Sequence, residues 1–263
     1  MRIVRFAPPQ GSKLGADPHF GIMEDDNTVR AIASDPLYAG IYKEEEVFSL
    51  ADVRLLAPVI PRSKVVCIGK NYADHAAEMG GEVPEEPIIF IKPNTSVIGP
   101  NEIIRWPADS ERVDHEAELA VVISKICKEV PKEKAKDVIF GYTLANDVTA
   151  RDLQKKDGQW TRGKGFDTFC PIGPWIDTEF QPNHQLVTAH VDGVLKQSAP
   201  LSDMVFDVPF IIEFVSKVMT LLPGDVILTG TPSGIGPMNQ GGEVVISIEG
   251  LGSLSNKVSL RGK

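Results

Sequence analysis

The run Asp114-His-Glu-Ala-Glu-Leu-Ala-Val-Val-Ile123 constrains this chain more than any other segment. Its second half is apolar and rich in β-branched residues, the pattern of a strand. Side chains in a strand alternate faces, so Glu116 and Glu118 point the same way. Two like charges on one face repel unless something positive sits between them. A third acid, Asp147, closes a second apolar run from Val138 to Ala145. Three oxygen donors with no cysteine nearby suit a hard divalent cation, Mg²⁺ or Mn²⁺. From the spacing alone, a solvated strand edge with two surface glutamates stands level with such a metal site.

A formal net charge of −9 argues against a nucleic-acid binder and against an anionic-membrane binder. It leaves room for a small anionic substrate, because a bound cation and a few bases invert the field locally. With 263 residues, 42% of them hydrophobic, the chain can bury a sizeable core as one large domain or as a small one plus a larger one. Cys67, Cys127 and Cys170 form no CxxC pair and no even-numbered framework, so they read as small buried hydrophobes in a reducing compartment. The start, Met1-Arg-Ile-Val-Arg-Phe6, has no signal-peptide apolar region, and no stretch reaches transmembrane length. The expected location is the cytoplasm.

Residues 1–57 read as a small β-rich unit, with strands expected at Arg2 to Phe6 and Gly21 to Met23; residues 58–263 form the main body. Further strands are expected over Lys64 to Gly69, Ile88 to Ile91, Gly224 to Thr229 and Gly242 to Ile248. Helices are expected over Tyr72 to Met79, from Pro131 to Asp137 and from Pro209 to Leu221, with a helical turn from Thr149 to Gln154. Asp157 to Phe169 reads as a polar, Gly-rich loop, and Asp192-Gly193 as a hairpin turn. Many short strands and few helices indicate a β-dominated α+β fold rather than a doubly wound sheet.

Several further residues are candidates for chemistry. His75 and Glu78 share a helix face, and a carboxylate beside an imidazole can make it a general base. On pattern alone an exposed pair of no consequence is the favoured reading. Arg151 and Gln154, also three apart, could bind a substrate carboxylate or form an ordinary solvated turn. Lys164 lies in Gly158-Gln-Trp-Thr-Arg-Gly-Lys-Gly165, which fails as a phosphate loop because Gly165 replaces the Ser or Thr that holds Mg²⁺. As a loop lysine it could supply charge to an oxyanion, or simply be solvated. The loop Leu228 to Pro237 lacks the dinucleotide fingerprint, but its amides and the Thr231 hydroxyl could hold a carboxylate; a tight turn is the plain alternative. His115 should face away from Glu116, in a supporting or structural role.

Taken together these segments resemble the fumarylacetoacetate hydrolase superfamily. The resemblance runs through Ile68-Gly-Lys-Asn-Tyr-Ala-Asp-His75, Phe90-Ile-Lys-Pro93, His115-Glu-Ala-Glu-Leu-Ala-Val-Val122, Asn146-Asp-Val-Thr-Ala-Arg-Asp-Leu-Gln154, Gly163-Lys-Gly-Phe-Asp-Thr-Phe-Cys-Pro-Ile-Gly173 and Leu228-Thr-Gly-Thr-Pro232. It spans roughly residues 60–263, and the first 57 residues look like the extra N-terminal β-domain of longer bacterial members. It implies a multi-sheet, β-roll-like catalytic domain and a homodimer. It also implies Glu116, Glu118 and Asp147 as metal ligands and His75 with Glu78 as a water-activating dyad on a lid helix. Lys164 would be catalytic, and Arg151, Gln154, Thr231 and Lys70 would contact substrate. Lys70 departs from the pattern, because arginine is common there and lysine cannot give the same bidentate grip.

The chemistry implied is that of a small anionic 2-oxo acid whose enolate is stabilised by a Mg²⁺ or Mn²⁺ Lewis acid. The leading expectation is hydrolysis of an acylpyruvate or decarboxylation of oxaloacetate at the C–C bond next to the 2-oxo group. The second is isomerisation of 2-hydroxyhepta-2,4-diene-1,7-dioate. The third, from another class, is a catalytically silent carboxylate-binding protein.

Overall fold

The computed structural model describes residues 1–263. Strand dominates, as the short apolar runs and frequent turn residues foretell. A twelve-stranded sheet follows the order Lys43–Ser49, Thr28–Ile32, His19–Met23, Arg2–Ala7, Cys170–Asp177, Ile139–Asn146, Ala117–Ile123, Val226–Leu228, Val65–Gly69, Ile88–Lys92. Two short strands branch from this path: Arg54–Leu56 beside Arg2–Ala7, and Val97–Ile98 beside Cys170–Asp177. A five-stranded sheet is built on the hairpins Leu186–Val191 with Val194–Pro200 and Glu243–Ile248 with Gly252–Val258, and Ile103–Ile104 completes it. A three-stranded sheet joins Thr149–Ala150, Val113–His115 and Gly236–Pro237.

The acid-bearing strand Ala117–Ile123 is buried along its whole length, so it lies between two packed layers rather than at a wet edge. Leu119, Val121 and Ile123 face one apolar cluster, which also takes in Ile211, Ile212 and Val215 of the helix Val208–Val218. Ala120 and Val122 face a second cluster with Cys67, Ala145, Cys170 and Leu228. Glu118 alternates with Leu119 and therefore lies on that second face. The helix Val208–Val218 begins where Asp207 caps it, its side chain accepting from the Phe210 N–H at 2.9 Å, with Pro209 at the tolerated first turn.

The N-terminal strands join the body through the main sheet: Arg2 and Ile3 pair with Asp177 and Ile176. Strand alternation then divides their side chains. Val4 and Phe6 build a small apolar cluster with Met23, Val29 and Ala31, while Ile3 turns into the cluster shared with the body.

Several local expectations need revision. The helix expected from Pro131 is a 3₁₀ segment, Lys132–Val138. Thr149 and Ala150 are a short strand, and the α-helix starts after them at Arg151–Asp157. The loop after Asp157 contains a short helix, Thr161–Lys164, whose last residue is buried rather than solvated. The hairpin at Asp192-Gly193 is present, with φ of 49° and 78°, the left-handed pair that its tight turn needs. No helix is long and apolar enough to cross a membrane.

One buried acid ties the sheet's far side to the chain entering it. Asp225, fully buried, accepts from Ser63 Oγ at 2.6 Å, from Lys64 Nζ at 2.5 Å and from the Leu222 N–H at 2.9 Å. These contacts hold the starts of two parallel neighbours, Val65–Gly69 and Val226–Leu228. Asp225→Ala strands the mostly buried Lys64 ammonium and three further donors, Ser63 Oγ, the Leu222 N–H and the Lys64 N–H, so it should cost about 3 kcal/mol. Urea unfolding measures this, and a loss below about 1 kcal/mol would refute the clamp.

Candidate metal centre and its cavity

The carboxylate oxygens of Glu116, Glu118 and Asp147 lie within 4.8 Å of one another, and all three residues are buried. Local pairing explains the convergence. Ala117 is in register with Asn146, so the ends of two neighbouring strands bring Glu116 and Asp147 side by side. The Asp147 N–H donates to the Glu116 carbonyl at 2.9 Å, and the Glu116 N–H donates to Asn146 Oδ1 at 3.0 Å. Gln197 fastens the strand start from the other sheet: its Oε1 accepts from the Ala117 N–H at 2.9 Å.

Buried like charges demand cations, and three buried side chains supply them. Lys164 Nζ bridges Glu116 Oε2 at 2.8 Å and Asp147 Oδ2 at 2.7 Å. Lys92 Nζ, fully buried beneath the site, donates to Asp147 Oδ1 at 2.5 Å and to the Val148 carbonyl at 3.0 Å. Arg151 Nη2 donates to Glu116 Oε1 at 2.5 Å, while its Nε donates to the buried Asp114 at 3.0 Å. Burial works against charge on Glu116, but Lys164 and Arg151 overcome it and hold its carboxyl well below the usual carboxylate range. Burial likewise opposes charge on Lys164, and Asp147 and Glu116 outweigh it, keeping the ammonium protonated.

Glu118 is the exception. No lysine, arginine or histidine pairs with it, and its one donor is the Gly230 N–H at 2.6 Å. Gly230 can approach so closely because it has φ of 97°, and a Cβ there would come within 2.7 Å of Asn71. Burial, then Asp147 and Glu116, push the Glu118 carboxyl well above its ordinary value. One acid short of a counter-charge, beside two others, fits a divalent cation. Mg–O bonds of about 2.1 Å put the oxygens around one ion about 3–4 Å apart, against the 4.8 Å within which one oxygen of each acid lies here.

The remaining candidates gather around a cavity of about 200 Å³. Lys70, His75, Arg151, Gln154, Lys164 and Thr231 line it together with the three acids. Glu78 stands just behind: its Oε2 is 3.4 Å from His75 Nδ1, and it also accepts from the Gly234 N–H at 3.2 Å. The helix Ala73–Glu78 is thereby latched onto the loop that follows Val226–Leu228. The apolar part of the wall is Ile68, Met79, Phe90 and Trp160, the last two rings meeting edge to face at 5.2 Å.

Two assignments change with the geometry, those of Arg151 with Gln154 and of Thr231, and that of His115 does not. Arg151 Nη1 donates to Gln154 Oε1 at 2.7 Å, so these two bind each other and Arg151 chiefly steadies Glu116 and Asp114. The Thr231 hydroxyl donates to the Ala117 carbonyl at 2.8 Å and accepts from Gln197 Nε2 at 2.8 Å. Its hydrogen is committed to the strand start rather than free for a carboxylate. His115 is buried with neither ring nitrogen partnered by protein, and burial lowers its pKa, so it stays neutral and structural. Sequence reasoning missed Lys92, Asp114 and Gln197 as parts of the site. None of the three carries a local signal: Lys92 closes the apolar strand Ile88–Lys92 as a solvated lysine would.

Comparison with known proteins places this arrangement. A family model described as fumarylacetoacetate (FAA) hydrolase C-terminal matches residues 64–259, and one described as Rv2993c-like, N-terminal, matches residues 1–58. Protein Rv2993c of Mycobacterium tuberculosis is 52% identical over 267 residues, covering 100% of both chains. Oxaloacetate tautomerase YisK of Bacillus subtilis is 44% identical over 226 residues, covering 81% of this chain and 75% of its own. The crystal structure of 5-carboxymethyl-2-hydroxymuconate delta-isomerase from Mycobacterium smegmatis matches with a TM-score of 0.90 at 48% identity, over 99% of this chain and 100% of that one.

The raised pKa of Glu118 fixes the sign of a pH effect in metal-free protein. The folded chain holds this proton more tightly than the unfolded chain, so stability falls as pH rises above the ordinary carboxylate range. A divalent ion replaces the proton and reverses the trend. Thermal unfolding of EDTA-treated protein across pH should show the decline, and Glu118→Gln should flatten it and abolish stabilisation by Mg²⁺. Superimposable pH profiles for wild type and Glu118→Gln would remove Glu118 from the metal set.

Proposed function

This chain belongs to the fumarylacetoacetate (FAA) hydrolase family, and from that premise we propose that it is a metal-dependent enzyme that forms and reprotonates the enolate of a small 2-oxo acid. Oxaloacetate is the first substrate to test. The observation that carries the reading is Glu118, a buried acid with no cationic partner, beside Glu116 and Asp147 on the wall of a cavity that His75 and Lys164 also line. Mg²⁺ or Mn²⁺ on the three carboxylates would supply Lewis acidity to the keto and carboxylate oxygens of the substrate.

The chain's own residues account for the rest. With Glu78 Oε2 3.4 Å from its Nδ1, the His75 ring would carry a proton there and leave Nε2 free. That nitrogen can take a proton from the substrate carbon or return it. The Lys164 ammonium, kept charged by its two acids, gives a point charge to a developing oxyanion. Arg151 and Lys92 hold Glu116 and Asp147 in place, and Phe90 and Trp160 wall off water from one side. The latch from Glu78 to Gly234 ties the helix Ala73–Glu78 to the loop after Val226–Leu228 while its carboxylate faces the imidazole.

Proton transfer ranks ahead of bond cleavage because tautomerase and delta-isomerase, in the names of the relatives, are both proton-transfer activities. The second reading is C–C hydrolysis or decarboxylation next to the 2-oxo group, favoured by the His75–Glu78 pair, which could equally activate water. We take the partner to be a small anionic 2-oxo acid and the assembly to be a homodimer.

Two assays on metal-stripped protein, with and without Mg²⁺, separate these readings. Loss of enol absorbance follows ketonisation of oxaloacetate, and a coupled dehydrogenase follows pyruvate. Mg²⁺-dependent ketonisation without pyruvate supports the tautomerase, and pyruvate formation supports cleavage. His75→Ala should lower the rate about 100-fold. Glu118→Gln that turns over like wild type would overturn the reading, and substrate binding without turnover would point to the silent carboxylate receptor.

A further inference from the structure

The cations of the cavity fall into two groups. Lys164 and Arg151 are inner ones, each bound to buried acids at 3.0 Å or less. Lys70 and Lys155 also line the cavity, yet neither forms an ion pair. Lys155 lies one turn after Arg151 on the helix that also presents Gln154 to the cavity. The next residue, Lys156, is equally exposed and does not line it.

Lys70 is placed deliberately. Its φ is 57°, a left-handed conformation that non-glycine residues rarely adopt and that persists only where the surroundings impose it. Those surroundings are Asn71, whose Nδ2 donates to the Thr229 carbonyl at 2.7 Å and to the Phe206 carbonyl at 3.0 Å, and whose Oδ1 accepts from the Phe206 N–H at 2.7 Å. The backbone twist sends the Lys70 side chain under the segment that follows the lid helix. A Cβ at Gly81 would come within 2.9 Å of Lys70 Nζ.

We propose that Lys155 and Lys70 form a receptor for a second carboxylate, so that the cavity selects 2-oxo dicarboxylates over 2-oxo monocarboxylates. The inference rests on the enolate reading for the inner end of the substrate. There, the carboxylate beside the keto group meets the metal centre, and the inner cations are already engaged by Glu116, Asp147 and Asp114. A second carboxylate at the other end of a short chain needs positive charge that no protein acid has claimed. The two lysines carry it, and the ring edges of Phe90 and Trp160 flank the apolar carbons between. Lys155 is the selecting residue, because its side chain is free to meet the distal group from the helix Arg151–Asp157.

Oxaloacetate and acetylpyruvate supply a matched pair, since the second carries an acetyl group where the first carries its distal carboxylate. In Mg²⁺-loaded enzyme, Lys155→Gln should lower the ratio of kcat/KM for oxaloacetate to that for acetylpyruvate about tenfold, and the double variant with Lys70→Gln should lower it further. Added salt should shrink the effect, as screening requires. Lys156→Gln should keep the wild-type ratio. Malate and 2-hydroxybutyrate give a readout without turnover: calorimetry should find a preference of wild type for malate that Lys155→Gln loses about tenfold. An unchanged malate preference and an unchanged rate ratio in Lys155→Gln would overturn the receptor. Failure of the enolate reading looks different, as wild-type protein that enolises neither substrate while the malate comparison still decides the role of Lys155.

Discussion

Lys164 lying between Glu116 and Asp147 is the contact on which the site depends. Four carboxylates, those of Asp114, Glu116, Glu118 and Asp147, are buried within a few residues of one another along two strands and their extensions. Without cations such a cluster would protonate or unfold the strand ends that carry it. Lys164, Lys92 and Arg151 arrive from three separate elements: a short helix, an edge strand and the first turn of another helix. Each must pack correctly for the acids to stay ionised, so the chemistry and the tertiary fold are specified by the same contacts. Glu118 is left out of that pairing: burial and its two acid neighbours favour its protonated form, so an ion of its own would displace that proton.

The parts of this arrangement that could be read from the chain are those with a local rule behind them. Alternation puts Glu118 opposite Leu119, and the end of an apolar run marks Asp147, so the acid triad is legible from spacing and resemblance together. Lys92 follows no such rule. A lysine before Pro93 at the end of Ile88–Lys92 looks like any solvated strand end, and only the packing of that strand against Val65–Gly69 sinks it beneath Asp147. Thr231 shows the converse. Its position on the cavity wall follows from the resemblance, but its hydroxyl hydrogen is taken by the Ala117 carbonyl, 114 residues away in the chain.

The same division applies to the fold. The strand Cys170–Asp177 was hidden by Pro171 and Pro174, which argue against a central strand. It tolerates them because it changes partners along its length, meeting Val97–Ile98 at Cys170 and Pro171, Ile139–Asn146 through its middle and end, and Arg2–Ala7 at Ile176 and Asp177. Lys43–Ser49 was hidden by three consecutive glutamates, an outer-edge strand whose charges discourage further pairing.

Glu78 joins the two halves of the functional argument. A base that must act on a dry substrate needs its tautomer set and its cavity closed, and separate residues could do each. Here one carboxylate faces His75 Nδ1 with one oxygen while both oxygens accept from the Gly234 N–H. Gly234 itself allows no side chain, since a Cβ would come within 2.1 Å of the Lys196 carbonyl. On the proposed function, the imidazole is therefore set for proton transfer while the helix Ala73–Glu78 is latched to Gly234. His75 and Glu78 share that helix, so any movement of it away from Gly234 would break the latch and carry the imidazole from the acid triad together.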